Sequence, residues 1–150
     1  MTERVDFYVL QSTAPKQRWT FACRLAEKAY LKDLRVLILG ASAAEAKSMD
    51  ELLWTFSDRS FVPHQFCEDA HPTDEPAPVR LTAALEGAGG ADLLVNLSDR
   101  LPQDLERFAR IAEIIDADPE RRRLGRERFK SYRDLKLPVE THQLDETAGA

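Results

Sequence analysis

The densest chemistry in the chain lies between Pro119 and Lys136. There Arg121, Arg122, Arg123, Arg126, Arg128, Lys130, Arg133 and Lys136 stand against Glu120, Glu127 and Asp134. That segment is net +5 in a chain of net −5, so the remainder carries −10. Helical spacing puts Arg122, Arg126, Phe129, Lys130 and Arg133 on one stripe, with Leu124, Tyr132 and Leu135 on the opposite, packed side. Guanidinium groups grip carboxylates in bidentate fashion, Lys adds a mobile point charge, and an aromatic ring supplies an apolar wall. The stripe therefore predicts a dock for an acidic ligand tipped with an apolar group. Single-stranded nucleic acid meets the same features through its phosphates and stacked bases, and a merely solvated basic face is the third reading.

Other residues suggest chemistry and lack the rest of a site. Leu39-Gly40-Ala41-Ser42-Ala43-Ala44 reads as a strand, a turn and a helix start, where backbone N–H groups can hold an anion. A phosphate loop needs further glycines and Lys-Ser/Thr, and a nucleophile elbow needs Gly where Ala44 stands. Ser42 is thus expected to be a helix N-cap, and a serine hydrolase or nucleotide-binding enzyme built on the Gly40 turn is the outlying alternative. Gly87, Gly89 and Gly90 precede a strand instead of following one, which predicts a solvent loop. His64, Cys67 and His71 have ligand-type side chains in a His-x2-Cys-x3-His spacing, but a structural metal site needs a fourth ligand, and no partner pair is present in the sequence. The expectation is no metal and no cofactor.

A second patch involves Trp54. Met49, Leu52, Leu53 and Phe56 share one helical face, the core face, and Trp54 projects away from it toward Ser60-Phe61-Val62-Pro63-His64. Exposed large aromatics anchor interfaces, so Trp54 and Phe61 are expected together at a partner surface. The competing reading has the proline-bearing loop fold back over Trp54.

The elements that must position these residues alternate strand and helix. Val5–Leu10 and Arg35–Gly40 read as buried strands around a helix patterned by Trp19, Ala22, Cys23, Leu25, Ala26, Ala29 and Tyr30, with Pro15 in its first turn. A second helix is expected from Ala43 to Phe56, strands at Val79–Thr82 and Asp92–Leu97, and a helix from Pro119 to about Leu135. Arg110–Asp116 reads equally as a strand or as the end of a helix. The order predicts a three-layer α/β domain, a mostly parallel Rossmann-like sheet with helices on both faces and no nucleotide site, over residues 1–137, with 138–150 a disordered tail. The fold class by itself decides no activity.

Composition is that of an ordinary globular protein, with 43% hydrophobic and 31% charged residues. Its overall acidity argues against a general nucleic-acid coat. Cys23 and Cys67 are too few for a disulfide framework, which predicts a cytoplasmic protein, and no apolar run is long enough to span a membrane.

Three segments together carry a family resemblance. Asp50-Glu51-Leu52-Leu53-Trp54, Ser60-Phe61-Val62-Pro63-His64 and Arg126-Glu127-Arg128-Phe129-Lys130-Ser131-Tyr132-Arg133 resemble the chi subunit of bacterial DNA polymerase III. Phe7-Tyr8-Val9-Leu10 and Arg35-Val36-Leu37-Ile38 fit the same order, from about residue 5 to 136. The resemblance implies a non-catalytic accessory protein of the clamp-loader assembly that meets DNA mainly indirectly and has no small-molecule substrate. It implies that Arg126 and Lys130, flanked by Arg122 and Arg133, clamp the acidic C-terminal tail of single-stranded-DNA-binding protein while Phe129 packs the tail's terminal Phe. The family commonly has Tyr at position 129, so a hydroxyl contact is absent here. Trp54, Phe61, Val62, Pro63 and His64 are implied to receive the psi subunit or another replication or repair protein.

Overall fold

A strand that is apolar at every position needs cover on both faces, and Val36-Leu37-Ile38-Leu39 is buried at all four. The computed structural model, which describes residues 2–56, 62–66, 77–85 and 89–144, meets that need with a sheet between two helical layers. The strands are β1 (Arg4–Val9), β2 (Val36–Leu39), β3 (His64–Phe66), β4 (Val79–Thr82), β5 (Ala91–Asn96), β6 (Phe108–Ile115) and β7 (Val139–Gln143). The helices are α1 (Pro15–Tyr30), α2 (Ala43–Thr55) and α3 (Pro119–Asp134). All seven strands run parallel in the order β3-β4-β2-β5-β6-β1-β7. This is the three-layer α/β arrangement expected from the sequence.

Strand alternation sorts the core into two halves. On one face Val36, Ile38, Val95, Ala112 and Ile114 meet Ala22, Cys23 and Ala26 of α1 and Met49 and Leu53 of α2. The small residues of α1 let it lie close to the sheet, and burial pushes the Cys23 thiol up to about 12, leaving it an inert apolar filler. On the other face Val5, Phe7, Leu37, Leu94, Phe108, Ile111 and Ile115 meet Tyr132 of α3.

One open choice is settled, and three details depart from the sequence expectations. Of Arg110–Asp116, open between strand and helix end, the residues through Ile115 are strand and Asp116 lies just beyond it, because β6 lies between β1 and β5 and both neighbours need a partner. β3 is a short edge strand that the sequence reading left within a loop. Residues 139–143, expected in a disordered tail, form β7 along β1, with Val5 N–H donating to Pro138 C=O and Leu144 N–H to Val9 C=O, both at 2.9 Å. Polar composition misled here because an edge strand with one solvated side needs few apolar residues.

Leu135 is the third departure. Expected on the packed side of the last helix, it is 55% exposed. The helix ends at Asp134, and Lys136 N–H donates to Arg133 C=O while Leu137 N–H donates to Tyr132 C=O, with Lys136 left-handed at φ 63°. This Schellman closure turns the chain into β7 and hands the core position to Leu137.

Candidate functional site

The start of α3 decides which of its residues face outward. Pro119 occupies the first turn, Asp118 Oδ2 accepts from Arg121 N–H at 2.9 Å, and Asp116 Oδ1 accepts from Asp118 N–H at 3.1 Å. Arg121 then grips both Asp116 oxygens through Nε and Nη2, at 2.8 and 2.9 Å. Burial raises the Asp116 carboxyl, but the bonds from Arg121 and the Asp118 amide outweigh it and hold the group below the ordinary carboxylate range.

With the phase set, Gly125, Arg128 and Tyr132 point at the sheet. Glu113 of β6, fully buried, accepts from Arg128 Nε at 3.1 Å, Asn96 Nδ2 at 2.9 Å and Tyr132 OH at 2.6 Å. Burial raises the Glu113 carboxyl, and the Arg128 charge with the three donors opposes that rise. Arg128 was one of the cations of the basic segment, yet it is spent inside the fold. The sequence signal that could have found this is Glu113 itself, a carboxylate within Ile111-Ala112-Glu113-Ile114-Ile115, where a buried position demands a partner.

The outer stripe divides. Arg122, Arg126 and Phe129 line a cleft of ≈ 240 Å³ with Gly125, Phe7, Val9, Ile115, Thr141 and Gln143. Its floor is apolar. A Cβ at position 125 would overlap Ile115 Cδ1, so Gly125 is what allows α3 to sit this low on β6. Phe129 is half-buried, its ring 5.3 Å from that of Phe7, and the Arg133 guanidinium lies 6.0 Å from the Phe129 ring centre. Arg122 is partly engaged, donating to the carbonyls of Asp116 at 3.1 Å and Leu10 at 3.3 Å. Arg126 is exposed at the rim and makes no ion pair among the described residues; Lys130 is exposed one turn further along. The structure thus gathers Arg122, Arg126 and Phe129 at one cleft, with Arg133 against Phe129 and Lys130 beside them. Thr141 and Gln143, which complete the cleft, were missed because they lie in the segment read as a tail.

The Trp54 region turned out differently. Trp54 is 56% exposed, and its ring stands 4.5 Å from that of His64. The His64 side chain is itself buried, its Nδ1 lying 2.7 Å from Val62 C=O and its Nε2 2.9 Å from Asp50 C=O. Val62, expected at the patch, is 1% exposed and packs in the core of the α1–α2 face. The correction has a plain cause: the chain must dive inward to add β3 to the sheet, and Val62 is the apolar residue at the point of entry. Pro63 is half-buried. Phe61 lies outside the described residues, as do Cys67 and His71 of the His-x2-Cys-x3-His spacing.

The Gly40 turn is structural in its contacts. Ser42 is the N-cap of α2, its Oγ accepting from Glu45 N–H at 3.1 Å, and a Cβ at Gly40 would stand 3.0 Å from the Ala46 nitrogen. Asp6, Glu140 and His142 bring possible ligand atoms within 4.8 Å of one another. Guanidinium charge is already there, since Arg4 bonds both Asp6 and Glu140 and Arg110 reaches Asp6 at 3.3 Å. No helix among the described residues is long and apolar enough to cross a membrane.

Solved structures share the fold, two of them as follows. The crystal structure of T4 UvsW matches with a TM-score of 0.69 at 10% identity, covering 96% of this chain and 42% of that one. A DEAD box protein from Methanococcus jannaschii matches with a TM-score of 0.54 at 14% identity, covering 94% of this chain and 42% of that one. Sequence comparison reaches further. The chain is 37% identical over 141 residues to the DNA polymerase III subunit chi of Pseudomonas aeruginosa, covering 94% of this chain and 96% of that protein. It is 30% identical over 134 residues to the subunit chi of Haemophilus influenzae, covering 89% and 92%. It is 25% identical over 111 residues to that of Escherichia coli, covering 74% and 75%. The family model described as DNA polymerase III chi subunit, HolC, matches residues 1–140, and the chain belongs to that family.

Proposed function

We propose that the chain is a non-catalytic replication subunit that docks the acidic C-terminal tail of single-stranded-DNA-binding protein at the α3 cleft and links it to the clamp loader. The observation that carries this reading is the cleft: an apolar floor of Phe7, Val9, Ile115 and Phe129 under a rim holding Arg122 and Arg126. An aromatic C-terminal residue needs both parts, a pocket for its ring and guanidinium groups for its carboxylate. Lys130 and Arg133 extend the positive field along the approach for acidic residues upstream. The exposed charges make the attraction salt-sensitive.

Tail binding of this type is expected on the order of micromolar, about −8 kcal/mol, and many tails on one coated strand raise the effective affinity. Calorimetric titration with an acidic peptide ending in Pro-Phe tests the reading. Arg126→Ala and removal of the terminal Phe should each weaken binding about tenfold or more, the first from the loss of a hydrogen bond to a charged group, about 1.5–3 kcal/mol, and the second from the lost burial of a Phe ring, about 1.5–3 kcal/mol. Failure of the intact peptide to bind, with single-stranded DNA binding instead, would replace tail docking by direct nucleic-acid binding.

Trp54, with Pro63 beside the buried His64, is assigned to the psi subunit or a similar partner. Its support is the 56% exposure of a large aromatic ring braced from beneath.

A further inference from the structure

β7 is an edge strand, and its parallel pairing shows which of its backbone groups are spent. Val5 N–H donates to Pro138 C=O, Leu144 N–H donates to Val9 C=O, and the register pairs Val5 with Val139, Phe7 with Thr141 and Val9 with Gln143. In a parallel ladder this directs the N–H and C=O groups of Glu140 and His142 toward β1. Those of Val139, Thr141 and Gln143 point outward from the sheet, where the strand order ends. The side chains of these same residues lie on the α3 face: Val139 packs with the Phe7–Tyr132 core, and Thr141 and Gln143 line the cleft with Phe129. A row of alternating donors and acceptors thus borders the cleft along one side.

Resting on the docking reading above, we propose that an acidic peptide held at the cleft extends along β7 as an eighth strand. The occupant is the segment directly upstream of the peptide's terminal aromatic residue. Charge selects it, because Arg126, Lys130 and Arg133 are exposed along the α3 side of that path. Backbone chemistry selects a polypeptide, because a phosphodiester chain carries no N–H groups to alternate with acceptors along a strand edge. Direction follows from the cations. Arg122 reaches the carbonyls of Leu10 and Asp116, just past the carboxyl ends of β1 and β6, so the terminal carboxylate sits at that end of the sheet. The peptide then runs parallel to β7, with alternate side chains facing α3. Strand addition places affinity in the main chain and leaves selectivity to the pocket and the charges.

Residue-resolved amide exchange of the full chain, with and without a saturating ten-residue acidic peptide ending in Pro-Phe, tests the proposal. The amides of Thr141 and Gln143 should slow about tenfold or more on saturation, while those of Glu140 and His142, already paired, change little. A peptide N-methylated at the alternate amides that face β7 should bind at least tenfold more weakly than one methylated in the opposite register. Arg126-dependent binding with unchanged Thr141 and Gln143 exchange and no register effect would overturn strand addition while leaving tail docking intact. Absence of any peptide binding would overturn both.

Discussion

The α3 cleft and the Trp54 surface each present one large aromatic ring, yet they are built in opposite ways. At the cleft the ring of Phe129 is half-buried against Phe7, and the polar groups around it point outward: Arg126 at the rim and the open edge of β7. At Trp54 the ring is mostly outside, and the polar groups beneath it point inward, with His64 placed between the carbonyls of Val62 and Asp50. The first region has, among the described residues, charge and backbone groups available for a ligand. The second offers a hydrophobic contact on a base already satisfied. The difference teaches that residue type marks a surface as sticky, while the direction of the hydrogen-bonding groups tells what can bind there.

The largest effect that would sharpen this contrast lies beneath α3. Glu113→Ala leaves Arg128 buried without its carboxylate and Tyr132 without its acceptor, which should cost about 3–5 kcal/mol in urea unfolding. Because the same network sets how α3 lies on the sheet, peptide affinity should fall together with stability. A stable Glu113→Ala protein with unchanged affinity would show that the cleft does not depend on this anchor.

Acid should act next. Asp6 and Asp116 are both held below the ordinary Asp range. For Asp6, burial pushes upward, and the bonds from His142 and Arg4 more than offset it. A depressed carboxylate contributes stability above its unfolded value, near pH 4, and loses it as pH falls through its folded value. Unfolding free energy should therefore decline progressively below about pH 4, and Asp116→Asn should flatten part of that decline. Since Asp116 fixes the start of α3, the cleft should fail in acid before the Trp54 surface does.

Much of the fold was legible because buried parallel strands and amphipathic helices write strong periodicities: Val36–Leu39 and the small-residue face of α1 left little choice. The site was half legible. Arg122, Arg126 and Phe129 could be placed on one stripe by helical spacing alone. What spacing could not supply was the phase error at the helix end, where the turn through Lys136 carries Leu135 outward and Leu137 inward. Nor could it supply the pairing of β7, which depends on β1 more than a hundred residues away. Val62 misled for a related reason, since its burial is set by the neighbour that β3 finds in β4.

The smallest effect on stability belongs to Trp54. Its truncation to Ala removes a 56% exposed ring that packs against His64 at 4.5 Å, so unfolding should shift by about 0.5–1.5 kcal/mol, the worth of one aromatic pair. Affinity for the acidic peptide should not change, whereas capture of clamp-loader components should be lost. Retained capture would remove Trp54 from the proposed interface and leave the α3 cleft as the one proposed docking surface.

The central claim, that acidic tails bind between α3 and β7 and nowhere near Trp54, is tested most directly by following backbone and side-chain NMR signals of the full chain during titration with the acidic Pro-Phe peptide. The account predicts saturable changes at Phe7, Arg126, Phe129, Thr141 and Gln143, with the Trp54 indole signal unmoved. Changes centred on Trp54 and His64, with Phe129 and Thr141 silent, would contradict it.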